Sequence, residues 1–213
     1  MDSPVLQFAA RHFGRAIRPA TTADLGAMAH IHATSGTPGL LSDLGAPFLR
    51  DVYYAGLLAS PVGRALVIEI KGSVVGFVTY SPDSSRLFHD IFRPRMAATL
   101  LAVGRASIRR PRVAIDFVQT VLTVDRTGEG SDIPAEAVSL EVDPSFQGLG
   151  LGFLLLQSAV TDLQAAGVTR IKARILESNR AVERLHPPLG FRQGATFRLH
   201  GRDWVLMVLE PAS

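Results

Sequence analysis

The chain contains no cysteine. Its absence excludes disulfides, thiolate metal sites and any route through an acyl-cysteine intermediate. Lysine is nearly absent too: of 22 basic residues only Lys71 and Lys172 are lysine, and the rest are arginine. Arginine favours planar, bidentate contact with carboxylate or phosphate. A net charge of +3, with no basic arm and no repeated aromatics, does not describe a nucleic-acid binder. No run approaches the roughly 18 uncharged apolar residues that a membrane span needs. The opening Met1-Asp2-Ser3-Pro4 also lacks the basic and then apolar pattern of a secretory signal. A cytoplasmic location is therefore the default expectation.

What is present is globular. Apolar residues make up 47% and charged residues 19% of 213 positions, enough to bury one sizeable core. We expect a single domain over 1–213 with a helical insertion at about 81–134. Ala16-Ile17-Arg18-Pro19 reads as a short strand, and Thr21 to Asp24 as a capped helix start continued by Leu25, Met28, Ala29 and His32. A second helix is expected over 46–58. Runs 64–70 and 73–80, joined by Lys71-Gly72, give a hairpin signal. Strands at 135–142 and 170–176, a helix striped by Leu149, Phe153, Leu156, Val160 and Leu163 and ended by Gly167, a short helix over 179–185, and a closing hairpin of 191–199 with 204–209 complete the order. That order is β-α-α-β-β-(insertion)-β-α-β-α-β-β.

One segment stands out: Leu140-Glu141-Val142-Asp143-Pro144-Ser145-Phe146-Gln147-Gly148-Leu149-Gly150-Leu151-Gly152, followed at once by an apolar helix. Glycines let a backbone take positive φ and approach a ligand closely. A helix opening there aims unpaired N–H groups and the positive end of its dipole at one spot, which suits a phosphate. A P-loop would need Gly-Lys-Ser/Thr, and the dinucleotide fingerprint would need Gly-x-Gly-x-x-Gly; neither spacing fits. The ligand-free alternative is a plain glycine-rich turn.

Gln147-x-x-Gly150-x-Gly152 after a strand ending Val142-Asp143-Pro144 resembles the acyl-CoA pyrophosphate loop of the GNAT superfamily of N-acetyltransferases. Asn179, Gly190 and Phe191 fall in register with a later segment of that family. The resemblance covers about 135–209 well and 16–80 more loosely. It implies a mixed, twisted β-sheet flanked by helices, here with a helical insertion between the third and fourth strands. It also implies acetyl-CoA as co-substrate, with no metal. Leu140, Glu141 and Val142 would pair through their main chain with the pantetheine arm. Gln147, Gly148, Leu149, Gly150, Leu151 and Gly152 would hold the pyrophosphate, and Asn179 would open the helix beside it. The N–H of Val142 or a neighbour would steady the oxyanion.

Acetyl transfer to an amine needs a base, oxyanion donors and, in some sites, an acid for the leaving thiolate. Glu136, eleven residues before Gln147, matches the spacing of the strand glutamate that some family members use as base. It could equally sit at an exposed strand mouth. Alternation places Glu136, Val138, Leu140 and Val142 on one face, with Ser139 and Glu141 on the other. His186 stands where the family usually carries a Tyr acid, but Pro187-Pro188 follows directly. It is either that acid or a helix-end histidine satisfying carbonyls. His30 and His32, two apart on a helix, do not face one another and make a poor metal pair.

The insertion departs from the family. Its apolar spacing reads as two or three helices broken at Pro94 and Pro111, followed by a flexible loop over Thr127 to Asp132. Between Arg86 and Arg112 it holds seven arginines against Asp90. These could form a solvated face, an anion-collecting rim over the acceptor cleft, or a contact for an anionic membrane surface. The functional expectation is direct acetyl transfer to a primary amine of a small molecule, an amino sugar first, by a monomer or homodimer. A protein N-terminus or lysine is the second acceptor. From another class, the chain could be a non-catalytic CoA-binding module.

Overall fold

The computed structural model describes residues 12–13, 16–36, 39–123 and 132–211. Strands β1 (Ile17–Pro19), β2 (Arg64–Ile70), β3 (Ser73–Ser81), β4 (Glu136–Val142), β5 (Ile171–Leu176), β6 (Phe191–Leu199) and β7 (Arg202–Leu209) form one sheet, ordered β1-β2-β3-β4-β5-β7-β6. Only β4 and β5 run parallel. This is the mixed sheet that the sequence implied. Lys71-Gly72 joins β2 to β3 with both residues at positive φ, 51° and 79°, as a tight hairpin turn requires. His200-Gly201 closes β6–β7 in the same way, at 53° and 69°.

Helices cover both faces of the sheet. Thr21 and Asp24 form a capping box, with the Thr21 N–H donating to Asp24 Oδ2 at 2.8 Å, and α1 (Leu25–Thr34) follows. A short α2 (Leu40–Leu44), not anticipated, precedes α3 (residues 46–59), whose middle, Leu49–Tyr54, is wound as a π-helix. Met28 and Ile31 of α1 and Leu49, Tyr54 and Leu57 of α3 pack on Val67 and Phe77 of the sheet. On the opposite face lies α7 (Leu151–Ala165), whose Leu155, Leu156, Ala159 and Leu163 pack on Val78, Ile171 and Met207. Each fully buried leucine contributes roughly 1.5–3 kcal/mol. Gly167, at φ 83°, follows the helix end as expected. Leu149, placed on the helical stripe by spacing alone, lies in the preceding loop and is 39% exposed.

The insertion lies between β3 and β4, which pair directly with each other. It comprises α4 (Ser84–Phe92), α5 (Met96–Arg109) and α6 (Arg112–Thr123), with Pro94 and Pro111 at the breaks. Helix α4 adds Leu87 and Ile91 to the core against α3. Helices α5 and α6 pack on each other and on α2, where Arg110 pairs with Asp43. Thr120 of α6 meets His200 Nε2 in the β6–β7 turn at 2.8 Å. The insertion thus reaches from the end of β3 to the far hairpin. The loop expected over Thr127 to Asp132 lies outside the described residues up to 131. A short α8 (Arg180–Glu183) follows β5.

Candidate functional site

Strands β4 and β5 pair only at Glu136↔Lys172 and Ala137↔Ala173, next to a Lys172 N–H to Ala135 carbonyl bond of 2.9 Å. Beyond Ala137 the two strands part. On the side facing β5, the remaining backbone of β4 through Val142 has no strand partner among the described residues. Backbone amides are obligatory hydrogen-bonding groups, so this opening suits an extended guest with amide groups of its own.

The glycine loop sits at the end of that opening. Asp143 accepts from the Ser145 N–H at 2.8 Å, and Gln147 Nε2 donates to the Val142 carbonyl at 3.0 Å, tying the loop to the strand end. Gly148 and Gly150 are left-handed, at φ 78° and 79°, and Gly150 caps α7. The first amides of α7, from Leu151 on, therefore open onto the loop without intrahelical partners. Gly152 has a different job. A Cβ there would meet Leu185 Cδ1 at 3.2 Å, with Leu140 and Val142 at 3.9 Å, so it lets the helix pack closely against the segment after α8. Asn179 caps α8, its side chain accepting from the Val182 N–H at 3.3 Å.

Glu136 is buried at 3% exposure. Its Oε2 lies 3.9 Å from Lys172 Nζ and 3.6 Å from Arg174 Nη2, and that oxygen accepts no hydrogen bond among the described residues. The exposed strand mouth considered for Glu136 is therefore not its environment. Strict alternation also fails. Thr79 lies opposite Ser139 but Tyr80 lies opposite Ala137, so β4 carries one extra residue, a bulge at Val138. Ala137, Leu140 and Val142 pack with the α7 face, whereas Val138 packs with the α3 face. Counted from the bulge, Glu136, Ser139 and Glu141 fall on the side of Val138, away from Ala137, Leu140 and Val142. The expected division, Glu136 opposite Ser139 and Glu141, is corrected: all three share one face.

Tyr53 and Tyr54 are both fully buried in the π-wound part of α3. Burial pushes both phenols up, so they stay protonated at neutral pH. Among the described residues the Tyr53 and Thr79 hydroxyls, like Glu136 Oε2, have no hydrogen-bond partner. Tyr54 shares a 2.5 Å hydrogen bond with His32 Nδ1. Burial pushes His32 down to about 4, so its ring is neutral. His30 is exposed and takes no part.

His186 is 2% exposed, its Nδ1 donates to the Val182 carbonyl at 2.9 Å, and Phe191 meets it edge-on at 5.0 Å. Burial pushes its pKa down. Its known contacts are therefore within its own segment.

Sequence reasoning did not single out Tyr53, Thr79, Ser139, Lys172 or Arg174. Two signals were available: an adjacent Tyr-Tyr pair in a chain with three tyrosines, and one of only two lysines sitting in a strand.

Residues 40–191 match the model of the Acetyltransferase (GNAT) family. A phosphinothricin N-acetyltransferase of Streptomyces coelicolor is 41% identical over 100 residues, 45% of this chain and 58% of that protein. A ribosomal protein bS18-alanine N-acetyltransferase of Salmonella typhimurium is 38% identical over 64 residues, 30% of this chain and 43% of that protein. The chain thus spans well under two thirds of the length of these relatives. Among solved structures, yncA from Salmonella typhimurium, determined with its cofactor acetyl-CoA, superposes with a TM-score of 0.58 at 23% identity, over 92% of this chain and 94% of that one. An N-acetyltransferase from Staphylococcus aureus Mu50 reaches 0.61 at 20% identity, over 91% and 96%. These structural likenesses show the fold.

Proposed function

The chain belongs to the acetyltransferase (GNAT) family, and on that premise we propose that it transfers the acetyl group of acetyl-CoA directly to a primary amine of a small molecule. The parting of β4 from β5 beyond Ala137 and Ala173, with the left-handed Gly148 and Gly150 at its end, is the observation that carries this reading. It offers a slot for the amide-bearing arm and a bed for the pyrophosphate, held by Leu140, Glu141 and Val142 through their main chain and by the loop amides of residues 147–152. Here Gln147 and Asn179 act through loop shape, since both side chains are spent on backbone groups.

On the other side of the strand, the bulge at Val138 brings Glu136 and Ser139 onto the face that α3 covers with Tyr53. The acceptor amine binds on this face. Glu136 Oε2, buried and without a hydrogen bond, takes the amine proton as the C–N bond forms and the C–S bond breaks. Tyr53 and Thr79, whose hydroxyls are unsatisfied, orient the acceptor. The leaving thiolate needs little acid help, because a thiol titrates near 8.5. His186 then serves the packing of its segment rather than proton transfer. The relatives named for phosphinothricin and for a ribosomal alanine both modify amines. A small acceptor is favoured because α2 and the α4–α6 insertion crowd the α3 side of the sheet, where a protein tail would need open access. One sheet runs through both halves of the chain, which supports reading it as one domain.

Thiol release from acetyl-CoA across a panel of small amines, amino sugars included, tests the reading alongside a CoA titration. Tight CoA binding without thiol release for any amine or N-terminal peptide would instead indicate a non-catalytic CoA-binding module.

A further inference from the structure

We propose that the outward faces of α5 and α6 form a docking surface for an anionic phospholipid bilayer. Helix α5 is buried along one side, at Thr99 and Val103. On its other side Ala97, Leu100, Leu101, Gly104 and Ile108 recur at three- and four-residue steps, which is one helix face. Leu100, Leu101 and Ile108 there are 53%, 55% and 83% exposed. Helix α6 repeats the arrangement, with Val113 buried and Ile115 and Val118 59% and 53% exposed. A helix docked on a protein body ordinarily shows water a polar face. Of the seven large hydrophobic side chains exposed among the described residues, all but Leu149 lie on this helix pair. That concentration marks a contact surface.

Charge selects the occupant. Arg105 and Arg109 flank the stripe on α5, Arg112 opens α6, and Arg93 and Arg95 stand at the entry to α5; none makes an ion pair among the described residues. Helices α4–α6 carry only two acids, Asp90 and Asp116. Asp90 accepts from Ser60 Oγ at 2.8 Å and lies 3.9 Å from Arg86, while Asp116 is half-buried. Arg110 turns aside to Asp43. A second copy of the chain seated about a two-fold axis would set five unpaired arginines against five with only the half-buried Asp116 of each copy to relieve them. The stripe also runs along convex helix faces rather than in a groove. An anionic bilayer meets both demands: the leucines and isoleucines enter the acyl boundary, and the guanidinium groups engage lipid phosphates.

Co-sedimentation of the full chain with vesicles tests this. With vesicles of phosphatidylcholine carrying about 30% phosphatidylglycerol, the chain should pellet, and with pure phosphatidylcholine it should not. Arg105→Glu/Arg109→Glu/Arg112→Glu and Leu101→Ser/Ile108→Ser should each weaken partitioning about tenfold or more, with CoA affinity and thermal midpoint unchanged. Should the serine variant lower the midpoint, Ile115→Ser/Val118→Ser replaces it. Three results would overturn the proposal. One is no partitioning, or equal partitioning to both vesicle types. Another is a vesicle-free dimer, seen by light scattering, that Leu101→Ser/Ile108→Ser dissolves. The third is polyglutamate binding as tight as vesicle binding and indifferent to the serine substitutions, which would point to an acidic protein partner.

Discussion

Glu136 and Ser139 are three positions apart on β4, a spacing that alternation would put on opposite faces, yet the register places both on the face that α3 covers. The bulge at Val138 supplies the missing half-step. It gathers a buried carboxylate and two hydroxyl-bearing side chains on the face where α3 covers the sheet.

Glu136→Gln is nearly isosteric and removes the carboxylate proposed as proton acceptor. CoA affinity should persist while turnover falls by roughly 10²–10⁴. The change also removes the charge that Lys172 and Arg174 flank, so thermal midpoints are measured in parallel. Parental turnover with a parental pH profile would leave Glu136 as a purely structural ion-pair partner.

Gly150 sits at φ 79°, where a residue with a side chain costs about 1–2 kcal/mol in the wrong backbone region. Gly150→Val should abolish CoA binding in a folded protein. Gly152→Ala should behave otherwise. Its Cβ meets Leu185 at 3.2 Å, so the midpoint falls modestly while CoA affinity, read by titration, changes little. Equal losses of affinity in both variants would contradict the separate roles.

His186→Gln distinguishes packing from catalysis. The lost Val182 bond and Phe191 contact should lower the thermal midpoint. The pH profile of turnover should keep its shape, and loss of a limb of that profile would make His186 the leaving-group acid.

His32 is held down to about 4 by burial, against about 6.5 in an unfolded chain. The unfolded state therefore takes up a proton first. Stability is full above pH 6.5 and is lost as pH falls from 6.5 toward 4, by about 3 kcal/mol from this one group. In urea unfolding at stepped pH, His32→Phe should be less stable at neutrality, because it loses the Tyr54 bond, but flatter between pH 6.5 and 4. A slope identical to the parent's would remove His32 as the cause.

Asp24 titrates lower still. The Arg18 guanidinium, bonded to it at 2.8 and 2.9 Å, holds it at about 2 instead of 3.8. Its contribution is present above about pH 4 and is lost between 4 and 2. With Arg18 partly in solvent, the size is about 1–2 kcal/mol. Asp24→Asn should remove that acid step from the stability curve and weaken the start of α1 at every pH.

The sequence by itself determined most elements and the glycine loop before α7, because those depend on local chemistry. Apolar period, Lys71-Gly72, the Thr21–Asp24 cap and the prolines at 94 and 111 each act within a few residues, and the order of strands and helices followed from them. The loop was legible because glycines at 148 and 150 permit the left-handed backbone that it adopts there, at little steric cost. Tertiary structure alone decided which side chains share the face with Glu136. The Val138 bulge arises from pairing with β3, and no residue in β4 announces it. The pairing of Glu136 with Lys172 and Arg174 requires β5 to lie beside β4 from a distance in the chain. The π-wound turn that buries Tyr53 and Tyr54 together depends on packing between α1 and the sheet. Such contacts are non-local, and a strand slipped by one residue would send the same side chains to the other side.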